Sequence, residues 1–149
     1  MTDFRSKPLD VPADLEEITR ADLVLYGVDH AGPSYEARVF LNNPNADVNT
    51  ARERDSGYAG SFAVFGHGGC YGDEGHCAPD DRLSDEFDRR PPHPLAPYTR
   101  SLEITDTLKS TRGKRVRVDV VIVLRDSKVS AASQDVAPCT DVRLVAYQD

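Results

Sequence analysis

Tryptophan is absent from this chain and methionine occurs once. No apolar run approaches the ~20 residues that a bilayer-spanning helix needs, so no membrane partner is expected. A basic tract is lacking too. Eighteen Lys and Arg stand against 25 Asp and Glu, for a formal net charge of -7. Nothing here neutralises a phosphate backbone, which argues against nucleic acid as a partner but leaves room for a basic protein surface. No Gly-rich phosphate loop links a strand to a helix. Ser34, Ser56 and Ser61 lack the Gly-x-Ser-x-Gly setting of a serine hydrolase. With no nucleophile–base pair in view, the chain reads as a non-enzyme. Cysteine is scarce: Cys70, Cys77 and Cys139. An odd number, behind a Pro-containing N-terminus with no apolar signal core, is not a secreted disulfide framework. The default expectation is a cytoplasmic location, with export alongside a partner left open.

What is present is short-period alternation. Tyr35, Ala37, Val39 and Leu41 alternate with Glu36, Arg38 and Phe40, a period-2 strand with one apolar exception. Further strands are expected over Arg20–Val28, Tyr58–Phe65, Thr99–Ile104, Arg115–Leu124 and Val142–Tyr147. Asp106–Ser110 reads as a short helical turn, with Thr105 or Asp106 able to cap it. In Arg115–Leu124, Arg115, Arg117, Asp119, Val121 and Val123 share one face, and the pattern starts half exposed and ends buried on both faces. Residues 47–57 read as a surface loop and 125–138 as a Ser/Ala-rich loop. Short strands, long polar loops and no long amphipathic helix predict an all-β fold, an antiparallel β-sandwich of about six to eight strands, with a barrel as second choice. Residues 1–18 are read as an extended N-terminal arm in which Pro8 and Pro12 deny ladder hydrogen bonds, and 14–18 as at most one helical turn. Residues 19–149 form one domain, with 66–97 a long Gly/Pro-rich loop.

That loop holds the chain's one dense set of soft ligands. His67, Cys70, His76 and Cys77 fall within eleven residues. Thiolate and imidazole suit Cu(I) or zinc. The spacing matches no established finger, and neighbours such as His76 and Cys77 close a tetrahedral site poorly. Three readings carry equal weight: a transient or structural metal site, a Cys70–Cys77 disulfide, or solvated thiols. Cys139 is read as a small buried hydrophobe. The acidic run Asp80, Asp81, Asp85, Glu86 and Asp88 lacks the order of a calcium loop and reads as a solvated surface. Arg89, Arg90, Pro91, Pro92 and His93 make an extended polyproline segment suited to docking on a protein, or else a stiff connector. Asp29-His30 reads as local hydrogen bonding within a turn.

Three stretches carry a family resemblance. They are Asp22–Val28 followed by Tyr35–Asn42, Gly57-Tyr58-Ala59-Gly60-Ser61-Phe62 followed by Gly66-His67, and Ser101–Leu108 followed by the Val-rich strand from Arg115. Together they resemble the C-terminal β-sandwich domain of type-3 copper proteins, the tyrosinases, plant polyphenol oxidases and molluscan hemocyanins. Plant members carry Lys-Phe-Asp-Val where this chain reads Glu36-Ala37-Arg38-Val39, and the Cys-rich turn is an addition to their pattern. The resemblance implies a stand-alone accessory domain. The family's catalytic bundle uses six copper-binding histidines, and this chain has four histidines in all. In the family the sandwich packs on that bundle and often covers its active-site entrance. The implied role is to bind and shield, stabilise or metallate a tyrosinase-like oxidase partner. Some fungal tyrosinases carry a Cys-x-x-Cys copper-delivery motif in this domain, and the spacing here differs from it. The alternative is a structural protein whose sandwich and long loop build a homo-oligomer or larger complex.

Overall fold

The computed structural model describes residues 2–67, 96–124 and 136–148. Their order is β1 (Phe4–Arg5), β2 (Leu9–Asp10), a 3₁₀ turn (Leu15–Glu17), β3 (Ile18–Val28), β4 (Tyr35–Leu41), a 3₁₀ turn (Arg54–Ser56), β5 (Tyr58–Val64), β6 (Tyr98–Glu103), α1 (Thr105–Ser110), β7 (Arg115–Val116), β8 (Val118–Leu124) and β9 (Asp141–Gln148). One sheet runs β1-β8-β4-β5, a second runs β6-β3-β9, and β2 pairs with β7 apart from both. Every pairing is antiparallel. This is the all-β sandwich that the alternation predicts.

Alternation explains how the two sheets meet. Leu23 and Leu25 on β3, Ala37 and Val39 on β4, Val118, Val120 and Ile122 on β8 and Val142 on β9 share one buried core. Each large aliphatic side chain so removed from water contributes roughly 1.5–3 kcal/mol. Cys139, just ahead of β9, is 2% exposed and carries no disulfide. Burial, with a smaller push from Asp141, drives its thiol up to about 12.

Several local expectations need correction. Pro8 and Pro12 interrupt the ladder of the N-terminal arm without abolishing it. Phe4 and Arg5 pair with Val120 and Asp119, and Leu9 and Asp10 pair with Val116 and Arg115. Polar side chains complete the stitching: Asp3 Oδ2 accepts from the Ile122 amide at 2.7 Å and Ser6 Oγ from the Val118 amide at 2.8 Å. The strand expected over Arg115–Leu124 is broken at Arg117, whose amide donates to Asn42 Oδ1 at 2.8 Å. Neither Thr105 nor Asp106 caps α1. The cap position is Ile104, and Thr105 Oγ1 instead accepts from the Ala21 amide at 3.0 Å.

Burial on both faces of β8 already includes Asp119. It is fully buried, because residues 42–57 fold over the outer side of β4 and β8, where Phe40, Ala46 and Val121 form a second apolar cluster with Tyr58 against it. Phe40, the exception in the β4 pattern, lies edge-on to Tyr58 at 5.6 Å.

Candidate functional site

The β4–β5 register pairs Tyr35 with Val64. It therefore brings the loop before β4, residues 29–34, beside the chain leaving β5, residues 65–67. The first loop is stiffened from within. Asp29 Oδ1 accepts from the Ala31 amide at 2.9 Å, and the Tyr35 hydroxyl donates to the Asp29 carbonyl at 3.0 Å. Burial, the main cause, holds the Tyr35 phenol well above its ordinary range, so it remains a neutral donor.

Gly66 then packs on this loop. Its amide donates to Ser34 Oγ at 3.0 Å, and a Cβ at this position would overlap the Gly32 carbonyl and Pro33. One residue on, the His67 amide donates to the His30 carbonyl at 3.0 Å, and His67 Nδ1 lies 3.3 Å from the same oxygen. His30 Nε2 lies 2.9 Å from the Ala96 carbonyl. A carbonyl only accepts, so these contacts place a proton on His30 Nε2 and on His67 Nδ1. The His30 ring stands edge-on to His67 at 5.1 Å and to Tyr98 at 5.3 Å. His30 thus ties His67 to Ala96, two points 29 residues apart in sequence. Phe65, beside this group, is 77% exposed.

Asp29 makes the local turn hydrogen bonds expected of it, and of the candidate ligand and docking residues His67 alone is among the described residues. Cys70, His76 and Cys77 lie outside the described residues, as do Arg89, Arg90, Pro91, Pro92 and His93. Among the described residues, no group of three or more His, Cys, Asp or Glu could hold a metal ion. His30 and His67 offer two imidazoles, fewer than a tetrahedral copper or zinc site uses. The described residues do not by themselves fit that metal. His30 is the residue that sequence reasoning missed. Its turn setting was visible, but its contact with His67 depends on strand register, which carries no local signal. Phe65 was assigned to a strand end, and nothing in the alternation marked it as exposed.

No family model and no curated protein matches the sequence. The fold does match solved structures. A recombinantly expressed latent aurone synthase (polyphenol oxidase) superposes with a TM-score of 0.50 at 13% identity, over 97% of this chain and 24% of that one. Latent aurone synthase (polyphenol oxidase) from its natural source gives a TM-score of 0.50 at 14% identity, with the same coverage of each chain. The likeness is one of fold, and this chain spans about a quarter of the length of the structures it matches.

Proposed function

We propose that the chain is a non-catalytic accessory β-sandwich module that binds and shields a tyrosinase-like copper oxidase partner. One observation carries the reading: the whole sandwich is matched within a polyphenol oxidase, where it accounts for 24% of the chain. The exposed Phe65, set on a loop base that Gly66, His67 and His30 hold rigid, supplies an apolar anchor for docking. The test is reconstitution with the isolated catalytic domain of a tyrosinase-like oxidase, following diphenol oxidation. Added module should slow turnover and raise the melting temperature of the catalytic domain. Phe65→Ser should weaken the complex by roughly tenfold or more, as expected for an apolar anchor. Unchanged turnover and no co-elution in size-exclusion chromatography would reject the reading.

Metallation of the partner is a variant of the same proposal, resting on His67, Cys70, His76 and Cys77. Protein purified anaerobically should then hold Cu(I) or zinc in a fixed ratio, and Cys70→Ser with Cys77→Ser should abolish it. Metal content unaffected by that pair of substitutions rejects metallation and leaves shielding standing. Self-assembly is the second reading, favoured by β9, an eight-residue strand at the edge of its sheet with Tyr147 49% exposed. Light scattering separates the two, since a module made for a partner is monomeric alone.

A further inference from the structure

At the opposite end of β4 from His30, the structure builds a polar cleft of about 290 Å³. Its walls are fixed by hydrogen bonds. Asn42 takes a left-handed conformation (φ 57), and its amide donates to the Arg117 carbonyl at 2.9 Å. Asn43 Nδ2 donates to the Ser56 carbonyl at 2.8 Å. Gly57 (φ 79) closes the 3₁₀ turn with its amide on the Arg54 carbonyl, and a Cβ there would overlap the Leu41 carbonyl. On the far wall, Ser110 Oγ and Thr111 Oγ1 donate to the Thr107 carbonyl at 2.8 and 2.9 Å. Their hydroxyl protons are therefore already used.

Two arginines line this cleft, Arg54 from the 3₁₀ turn and Arg112 from the segment after α1. Neither side chain has a hydrogen bond, ion pair or ring contact. Every other arginine among the described residues is engaged. Arg5, Arg20, Arg38, Arg52 and Arg115 meet carboxylates. Arg117 donates to the Ser6 carbonyl, and Arg100 and Arg143 lie over the rings of Phe62 and Tyr26. The two described arginines whose side chains lack a protein partner thus both line this cleft, Arg54 also bordering a neighbouring one beside Glu103 and Asp106, in a chain whose net charge of -7 offers carboxylates elsewhere. Asp55 also lines the cleft and offsets one of the two positive charges. Guanidinium forks match the planar, two-oxygen edge of a phosphate or carboxylate group and bind it bidentately.

We infer that this cleft is a binding site for a small doubly charged oxyanion, a phosphate group or a pair of carboxylates, held between Arg54 and Arg112. The site stands apart from the partner-docking proposal and from the His30–His67 base. The test is a two-dimensional amide NMR titration of the full chain at constant ionic strength, with inorganic phosphate, succinate and chloride as separate probes. Phosphate or succinate should produce saturable shifts confined to residues 42–43, 54–57 and 110–112. Arg54→Gln and Arg112→Gln should each weaken binding roughly tenfold, the loss expected for one charge-assisted contact, and the double variant should show none. Response to phosphate alone assigns the site to phosphate-bearing ligands, and response to succinate alone to dicarboxylates. Shifts in the wild type that fail to saturate, or that chloride reproduces, overturn the inference without recourse to the variants. So does binding of undiminished strength in a double variant whose spectrum remains dispersed.

Discussion

Strands β8 and β3 hold central places in their sheets, and each carries an aspartate on its outer side. Asp22 on β3 is 6% exposed, and Asp119 on β8 is 0% exposed. Arg20 reaches Asp22 from solvent and binds both carboxylate oxygens, at 2.9 and 3.1 Å. Neither oxygen of Asp119 has a partner in good hydrogen-bond geometry; Arg5 Nε stands 3.5 Å away, and the Asn43 amide and Arg117 add lesser pulls. The covering segment makes the difference. Over β4 and β8, Ala46 from residues 42–57 and Tyr58 at the start of β5 form an apolar lid, which buries Phe40 and Val121 but takes water away from Asp119. The outer side of β3 keeps Val24 and Tyr26 half-buried, and water and long side chains still reach it. A second buried face adds apolar stabilisation and makes any polar group on it costly.

The largest test of this contrast is Phe40→Ala against Val24→Ala. The first should destabilise by about 3–5 kcal/mol, as for a fully buried aromatic. The second should cost under about 1 kcal/mol, because Val24 loses little burial. Urea unfolding of both decides it, and equal costs would show that the segment 42–57 contributes no real core.

Next in size is Asp119→Leu, expected to stabilise by about 1–4 kcal/mol at neutral pH by replacing a poorly satisfied buried charge. Its pH dependence has a definite sign. Burial, the largest influence, raises the Asp119 carboxyl above its ordinary value of 3.8, against a lowering pull from Arg5. Stability from this group is fully present below the unfolded value and is lost as pH rises through the folded one. Wild type should therefore lose stability relative to Asp119→Asn as pH climbs from about 4, and the gap should then stay constant. A gap that narrows instead with rising pH would mean that Arg5 satisfies Asp119 after all. Smallest is Arg115→Ala. Arg115 and Asp10 meet at 2.9 Å with side chains 69% and 83% exposed, and the substitution should move stability by less than about 0.5 kcal/mol.

The same contrast marks how far the sequence could be read. Period-2 alternation located β3, β4, β5 and β9 and the sandwich they form, because side-chain alternation is a local property of a strand. It could not say which outer side would be covered, so Phe40 stood only as an exception to its pattern and the full burial of Asp119 carried no signal. The cover comes from residues 42–57, polar enough to pass for an ordinary surface loop. The split at Arg117 and the capture of Thr105 Oγ1 by Ala21 are likewise long-range events, set by Asn42 and by β3. At the candidate site, His67 was flagged by its chemistry, but the Cys and His residues around it fall outside the described residues. His30 and Phe65 acquired their places from register alone. Which arginines meet a carboxylate is set by the tertiary fold, so no local pattern marks the side chains of Arg54 and Arg112 as the ones left over.

Cys139 gives the fold a built-in clock. Its thiol sits under the start of β9, where the neighbouring Thr140 amide is tied to the Tyr26 carbonyl at 2.8 Å. With its ionisation pushed up to about 12, almost none of it is thiolate near neutrality, and the thiolate is the form that alkylating reagents attack. Modification of Cys139 therefore waits for β9 to detach from β3. Pulsed alkylation, read by mass spectrometry on the peptide that contains Cys139, times that detachment directly and needs no engineered label.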